Sequence, residues 1–152
     1  MKLAVLIANR GFFPSTVIDL AREEMTQAIK NAGAEALLME KDRTRYGAVE
    51  LRAEGEEFNK FLKEHDGEYD ALILCLPNFG DENGIKAALR DVNVPVLLQA
   101  YPDEIGKMDF EHRRDSYCGK FSICDYFYQN NLPFTIFEPH VVHPATDAFQ
   151  KN

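Results

Sequence analysis

Three short stretches carry side chains able to do chemistry. Arg10-Gly11-Phe12-Phe13 places a guanidinium two residues before a pair of aromatic faces. Asn78-Phe79-Gly80-Asp81-Glu82 combines an amide, a ring and two carboxylates, and Asp115-Ser116-Tyr117-Cys118-Gly119-Lys120 adds an acid, a hydroxyl, a thiol and an ammonium. An arginine beside aromatic rings suits an anion or a sugar hydroxyl, with Phe12 and Phe13 offering aromatic faces to a ring or to a partner surface. Taken singly, each has a plainer reading: Phe12 or Phe13 as a core plug, and Asp81 and Glu82 as a solvated turn.

These stretches matter only if the fold brings them together. Leu3–Ala8 and Ala71–Leu76 are unbroken apolar runs, far shorter than a membrane span, and read as strands buried on both faces. Ala36–Met39, Pro95–Ala100 and Pro133–Phe137 complete five strands. A helix is expected from a Ser15 or Thr16 cap to about Ala32. Its apolar face is Val17, Leu20, Ala21, Met25, Ala28 and Ile29, and Gly33 stops it. A second helix lies within 47–65, with Phe58, Phe61 and Leu62 on its apolar side and its start blurred by Gly55. A short helix runs from Ile85 to about Val92, and Ser116–Asn131 carries Phe121, Cys124, Phe127 and Tyr128 at helical spacing. Strands alternating with helices predict an α/β fold, a flavodoxin-like doubly wound sheet of order 2-1-3-4-5 in a three-layer sandwich. In that order strands one and three are neighbours, so Asn9–Pro14 faces Asn78–Asn83 across the switch-point crevice. Residues 1–138 form the predicted domain, and 139–152, with Pro139 and Pro144, read as an exit segment outside the core, leading toward a further domain.

Composition narrows the function classes. A net charge of −8 opposes a nucleic-acid-binding surface. Three cysteines without a CxxC pair imply neither a disulfide framework nor a zinc knuckle, so a reducing, cytoplasmic setting is expected. The first loop lacks the Ser/Thr/Gly-rich phosphate cradle of a flavodoxin, the acids of a phospho-receiver domain are missing, and neither a GxGxxG nor a Walker-type loop occurs. His140 and His143, with Glu138 nearby, are the best local metal candidates, but an extended segment sends them to opposite sides. Cys118 at a helix start reads as a small residue packed near the sheet end. A catalytic thiol, with His112 as the nearest base in sequence, is the alternative.

Together, Arg10-Gly11-Phe12-Phe13, Asn78 to Glu82, Arg114 to Lys120, Pro133-Phe134 and His140 to Pro144 resemble the N-terminal domain of the L-fucose isomerase-like sugar isomerases. The resemblance implies a carbohydrate-metabolising parent enzyme that interconverts aldoses and ketoses with manganese held by later domains. It implies that this chain supplies no catalytic or metal-binding residue and binds no cofactor itself. Its sugar substrate would be shared with other domains or subunits, in a homo-oligomer or with a companion catalytic domain. On this reading Arg10, Phe12 and Phe13 reach a sugar pocket, Asn78, Phe79, Gly80 and Glu82 form the loop beside it, and Asp115, Ser116, Cys118, Gly119 and Lys120 line or brace the same rim. A free-standing flavodoxin-like module that binds a sugar or an anion is the competing expectation. Neither reading involves nucleic acid or a membrane.

Overall fold

The computed structural model describes residues 1–152. Five strands, β1 Lys2–Ile7, β2 Glu35–Leu38, β3 Ala71–Leu76, β4 Val96–Ala100 and β5 Thr135–Ile136, form one parallel sheet of order β2-β1-β3-β4-β5. The flavodoxin-like order predicted from sequence is therefore the one observed. β3 lies at the centre, with Ile7 opposite Cys75 and Cys75 opposite Gln99, and all six of its residues are buried.

The two-residue period of a strand divides the core into two layers. Ala4, Leu6, Leu72, Leu74 and Leu76 face α2 (Arg52–Glu64), α3 (Glu82–Ala88) and α4 (Ser116–Gln129). Leu3, Val5, Ile7, Ile73 and Cys75 face α1 (Thr16–Asn31) and α5 (Asp147–Gln150).

Several local expectations change. Leu20, assigned to the apolar face of α1, is exposed; Ile18, Ala21, Met25, Ala28 and Ile29 form the buried stripe instead. Ser15 occupies the N-cap of α1 without a side-chain capping bond. Within 47–65 the helix begins only at Arg52, because Val49 first pairs with the end of β1: its N–H donates to Ile7 O at 2.8 Å, and Asn9 N–H donates to Val49 O at 2.9 Å. Gly55 does not weaken α2. It lets α2 and α3 touch backbone to backbone, and a Cβ there would overlap the Gly84 carbonyl.

Residues 139–152 were expected outside the core, and they are part of it. Val142 N–H donates to Ala100 O at 2.9 Å, and Gln99 Nε2 donates to Val142 O at 2.6 Å. Phe149 is buried and stacks on Phe137 with centroids 4.9 Å apart, while Gln150 Nε2 donates to Ala28 O at 3.1 Å. The prolines redirect this segment across the sheet end, where its apolar residues close the α1 layer. No helix is long and apolar enough to cross a membrane.

Candidate binding rim at the carboxyl edge of the sheet

Where β1 and β3 end side by side, their loops are joined by a buried amide relay. Asn78 is completely buried; its Oδ1 accepts from the N–H groups of Arg10 at 3.2 Å and Gly80 at 3.3 Å. Its Nδ2 donates to Asn9 Oδ1 at 2.6 Å, and Asn9 Nδ2 in turn donates to Glu50 Oε2, also at 2.6 Å. Glu50 is buried beneath the first loop, so close that a Cβ on Gly11 would stand 2.8 Å from its Oε1. The chain passes over Glu50 at that point because glycine has no side chain to place there. Gly80, at φ +75°, supplies the left-handed turn that leads the second loop toward α3. Asp81 then caps α3 by accepting from Asn83 and Gly84 N–H, both at 3.0 Å.

Above this relay lies a layer of charge and rings. Arg10 Nη1 donates to both oxygens of Glu82, at 3.3 and 3.1 Å, and its guanidinium lies 4.7 Å from the centroid of Phe79 and 5.8 Å from that of Phe12. Ser122 Oγ donates to Glu82 Oε1 at 2.6 Å, fixing the carboxylate from α4. Partial burial acts to raise the Glu82 pKa, but the bonds from Ser122 and Arg10 outweigh it and hold the group below the usual carboxylate range. Phe79 stacks on buried Phe13 at 5.9 Å, and Arg113 lies 5.0 Å from the Phe13 centroid. Two guanidiniums thus bracket an aromatic pair, one neutralised by Glu82 and one not.

The loop from Tyr101 to Asp115 forms the third wall. Buried Arg114 donates from Nη1 to Pro77 O at 3.0 Å and lies 4.8 Å from the Tyr101 ring, which anchors this loop to the end of β3. Asp103 Oδ1 accepts from Arg114 and Asp115 N–H at 2.8 and 3.2 Å. Tyr101 is buried and donates its hydroxyl to Glu24 Oε2 at 2.9 Å; burial drives its pKa well above the ordinary phenol value. His143 Nε2 reaches the same oxygen at 3.5 Å, joining the C-terminal segment to α1.

The sequence candidates divide by exposure. Phe12 and Cys118 are exposed, and Arg10, Phe79, Glu82 and Asp115 are partly so. Asn78, Gly80, Phe13, Ser116 and Lys120 are buried and act as supports. Lys120 donates from Nζ to the carbonyls of Phe137 at 3.2 Å and His140 at 2.7 Å, and burial lowers its pKa. Gly119 lets α4 sit directly on the second loop, since a Cβ there would overlap the Phe79 carbonyl oxygen. Cys118, expected to be packed near the sheet end, is exposed because it lies on the outer side of α4, and His112, its nearest base in sequence, is bonded to Asp109 at 2.8 Å. Asn9, Glu50, Ser122, Arg113 and Arg114 were absent from the candidates. Glu50 and Asn9 lie 41 positions apart, and only the pairing of Val49 with β1 brings them together.

No three His, Cys, Asp or Glu side chains converge in a way that would hold a metal ion. Glu82 and Glu50 are committed to Arg10 and Asn9, His143 turns toward Glu24, and His140 lies 6.1 Å from the Tyr117 ring. The donor set does not fit a metal centre. An apolar cavity of about 390 Å³ between β4 and β5, lined by Val94, Phe127 and Phe134, lies at the opposite end of the sheet from these loops.

The arrangement is that of a rim: a guanidinium held near two aromatic rings, with hydrogen-bonding groups beside it, on a base of buried amide bonds. A family model described as the fucose/sulfoquinovose isomerase N-terminal domain matches residues 4–152. No curated protein matches the chain.

Proposed function

Because the chain belongs to the fucose/sulfoquinovose isomerase N-terminal domain family, we propose that it is the substrate-side domain of an aldose–ketose isomerase. Its task is to present Arg10, Phe12 and Phe79 to a sugar that is also held by another domain or subunit. The observation that carries this reading is the Arg10 guanidinium, seated 4.7 Å over Phe79 and doubly bonded to Glu82 at the carboxyl edge of the sheet. In open α/β sheets this edge is where ligands bind. A sugar places C–H bonds against aromatic faces and its hydroxyls toward charged donors, and the rim offers both.

Ketol isomerisation moves a proton between adjacent carbons while the neighbouring oxygens are polarised. The carboxylates here are engaged as supports, and no donor cluster fits a metal. The manganese and the proton-transferring groups therefore belong, on this proposal, to a companion domain or subunit. Exposed Phe12, Tyr117 and Phe121 beside the rim support a surface that meets such a partner. A reducing, cytoplasmic setting belongs to the same reading and agrees with the exposed free thiol of Cys118.

Saturation-transfer NMR tests it. L-fucose and sulfoquinovose should receive saturation from the aromatic side chains, and Arg10→Ala and Phe79→Ala should each reduce it severalfold. Transfer that is unchanged in both variants would show that the rim is not where sugar binds.

A further inference from the structure

The apolar cavity between β4 and β5 continues along α3 into a second hollow of about 520 Å³, and Leu89 and Leu132 line both. The two differ in kind. The first is walled by buried Leu89, Val96 and Phe127, with Phe134 packed on Phe127 at 5.1 Å between ring centroids, and no charged residue lines it. The second is walled by Arg52, Lys86 and Arg90 with Tyr126, and no acid lines it, in a chain whose net charge is −8. Helical spacing builds this wall: Asn83, Lys86 and Arg90 follow one stripe of α3 and the turn after it, and Tyr126 and Asn130 stand one turn apart at the end of α4. Glu56 pairs with Arg52 at 3.0 Å, and Asp91 approaches Arg90 at 3.5 Å while binding Lys63 at 2.7 Å. Lys86 pairs with no carboxylate; its ammonium lies 5.1 Å from the Tyr126 ring centroid. The negative end of α3 accounts for cations at Lys86 and Arg90, but Arg52 opens α2 at its positive end, where a cation is unfavourable.

We propose that the two hollows form one binding site for an amphiphilic carboxylate, with an acyl or aryl body in the apolar cavity and its head on the basic wall. Burying the body removes apolar surface from water, and the cavity of about 390 Å³ is of small-molecule size. The head meets Lys86, the cation of the wall that no acid neutralises, while Arg52 and Arg90 add forked N–H donors that match a carboxylate. The apolar cavity by itself would admit neutral ligands as well; the unopposed charge beside it selects the anion. Arg10, Phe12 and Phe79 line neither hollow, so this site stands apart from the sugar rim and does not depend on it.

The test is an amide chemical-shift titration of the full chain with decanoate, below its micelle concentration, beside decanol, octanoate and acetate. Decanoate should give saturable shifts across 83–96 and 126–135, leave 10–13 unmoved, and bind about tenfold more tightly than decanol, the margin of one charge-assisted contact. Octanoate should bind about tenfold more weakly than decanoate, having two fewer methylenes to bury. Acetate, a head without a body, should not saturate. Lys86→Gln and Arg90→Gln should each weaken decanoate severalfold and leave decanol unchanged, and together they should bring the two ligands level. Dispersed spectra of each variant report an intact fold. Decanol binding as tightly as decanoate, or a preference that survives both substitutions, would overturn the proposal, because the basic wall would then select nothing. Saturable shifts confined to other residues, or none at all, would overturn it too. So would shifts at 89–96 and 127–135 that follow protein concentration and ignore decanoate, since a second copy of the chain would then cover the cavity.

Discussion

Replacing Asn78 by alanine should be far more damaging than its place in a polar loop suggests. The side chain is completely buried and makes three close bonds, from Arg10 N–H, from Gly80 N–H and to Asn9 Oδ1, and a longer one from Nδ2 to Pro14 O at 3.5 Å. Each is worth about 1 kcal/mol net, and a buried partner left unsatisfied costs about 1–3 kcal/mol. Water can re-satisfy Arg10 N–H at the loop surface, so a total near 3 kcal/mol is expected. For a chain of this size that lowers the melting temperature by about 6–12 °C. Asn78→Asp keeps an acceptor but removes the donor to Asn9 and puts a second carboxylate into the Glu50 relay. Burial and that neighbour would raise the pKa of the new acid, so its destabilisation should be greatest at neutral pH and should shrink as pH falls through the raised value. Urea unfolding followed by far-UV circular dichroism measures both. A loss below about 1 kcal/mol for Asn78→Ala would refute the claim that this amide pins the two loops together.

Other consequences are open to simple measurements. Gly119→Ala should cost about 3 kcal/mol or more in the same assay, because the new methyl group meets the Phe79 backbone and not a movable side chain. Lys120→Met should cost about 2 kcal/mol by stripping the Phe137 and His140 carbonyls of their donor. Glu82 has a depressed folded-state pKa, so the stability it adds is complete above its ordinary value of 4.5 and is lost as pH falls through the lower one. The stability gap between the unaltered chain and Glu82→Gln should accordingly close as the solution is acidified, and a gap constant with pH would contradict this. Thiol labelling of the native protein should modify Cys118 first and spare Cys75, which is completely buried with a pKa raised by desolvation.

The fold was legible because β1 and β3 are apolar on both faces, a pattern that only a covered parallel sheet explains. Their adjacency then followed from the strand order and placed Arg10 opposite Asn78 without any knowledge of side-chain contacts. The supports were not legible, because they depend on residues far apart in sequence whose polar character disguises their burial. Lys120 reads as a surface charge, yet its stem fills the inner face of α4 with Gly119, Ile123 and Phe127 while the ammonium reaches two carbonyls. Phe121 and Tyr128, the more apolar-looking choices, point outward. The C-terminal segment misled for a related reason: its prolines announce a departure, but Val142 and Phe149 are what carry it back onto the sheet.

The central claim is that this chain contributes a sugar-binding rim and leaves the chemistry to groups it does not carry. It is tested most directly by incubating the purified chain with manganese and either L-fucose or sulfoquinovose, and following ketose formation. No ketose above the metal-only control is expected. Sustained turnover by the chain alone, abolished by Arg10→Ala, would mean that the catalytic groups lie within these residues, and would contradict the account.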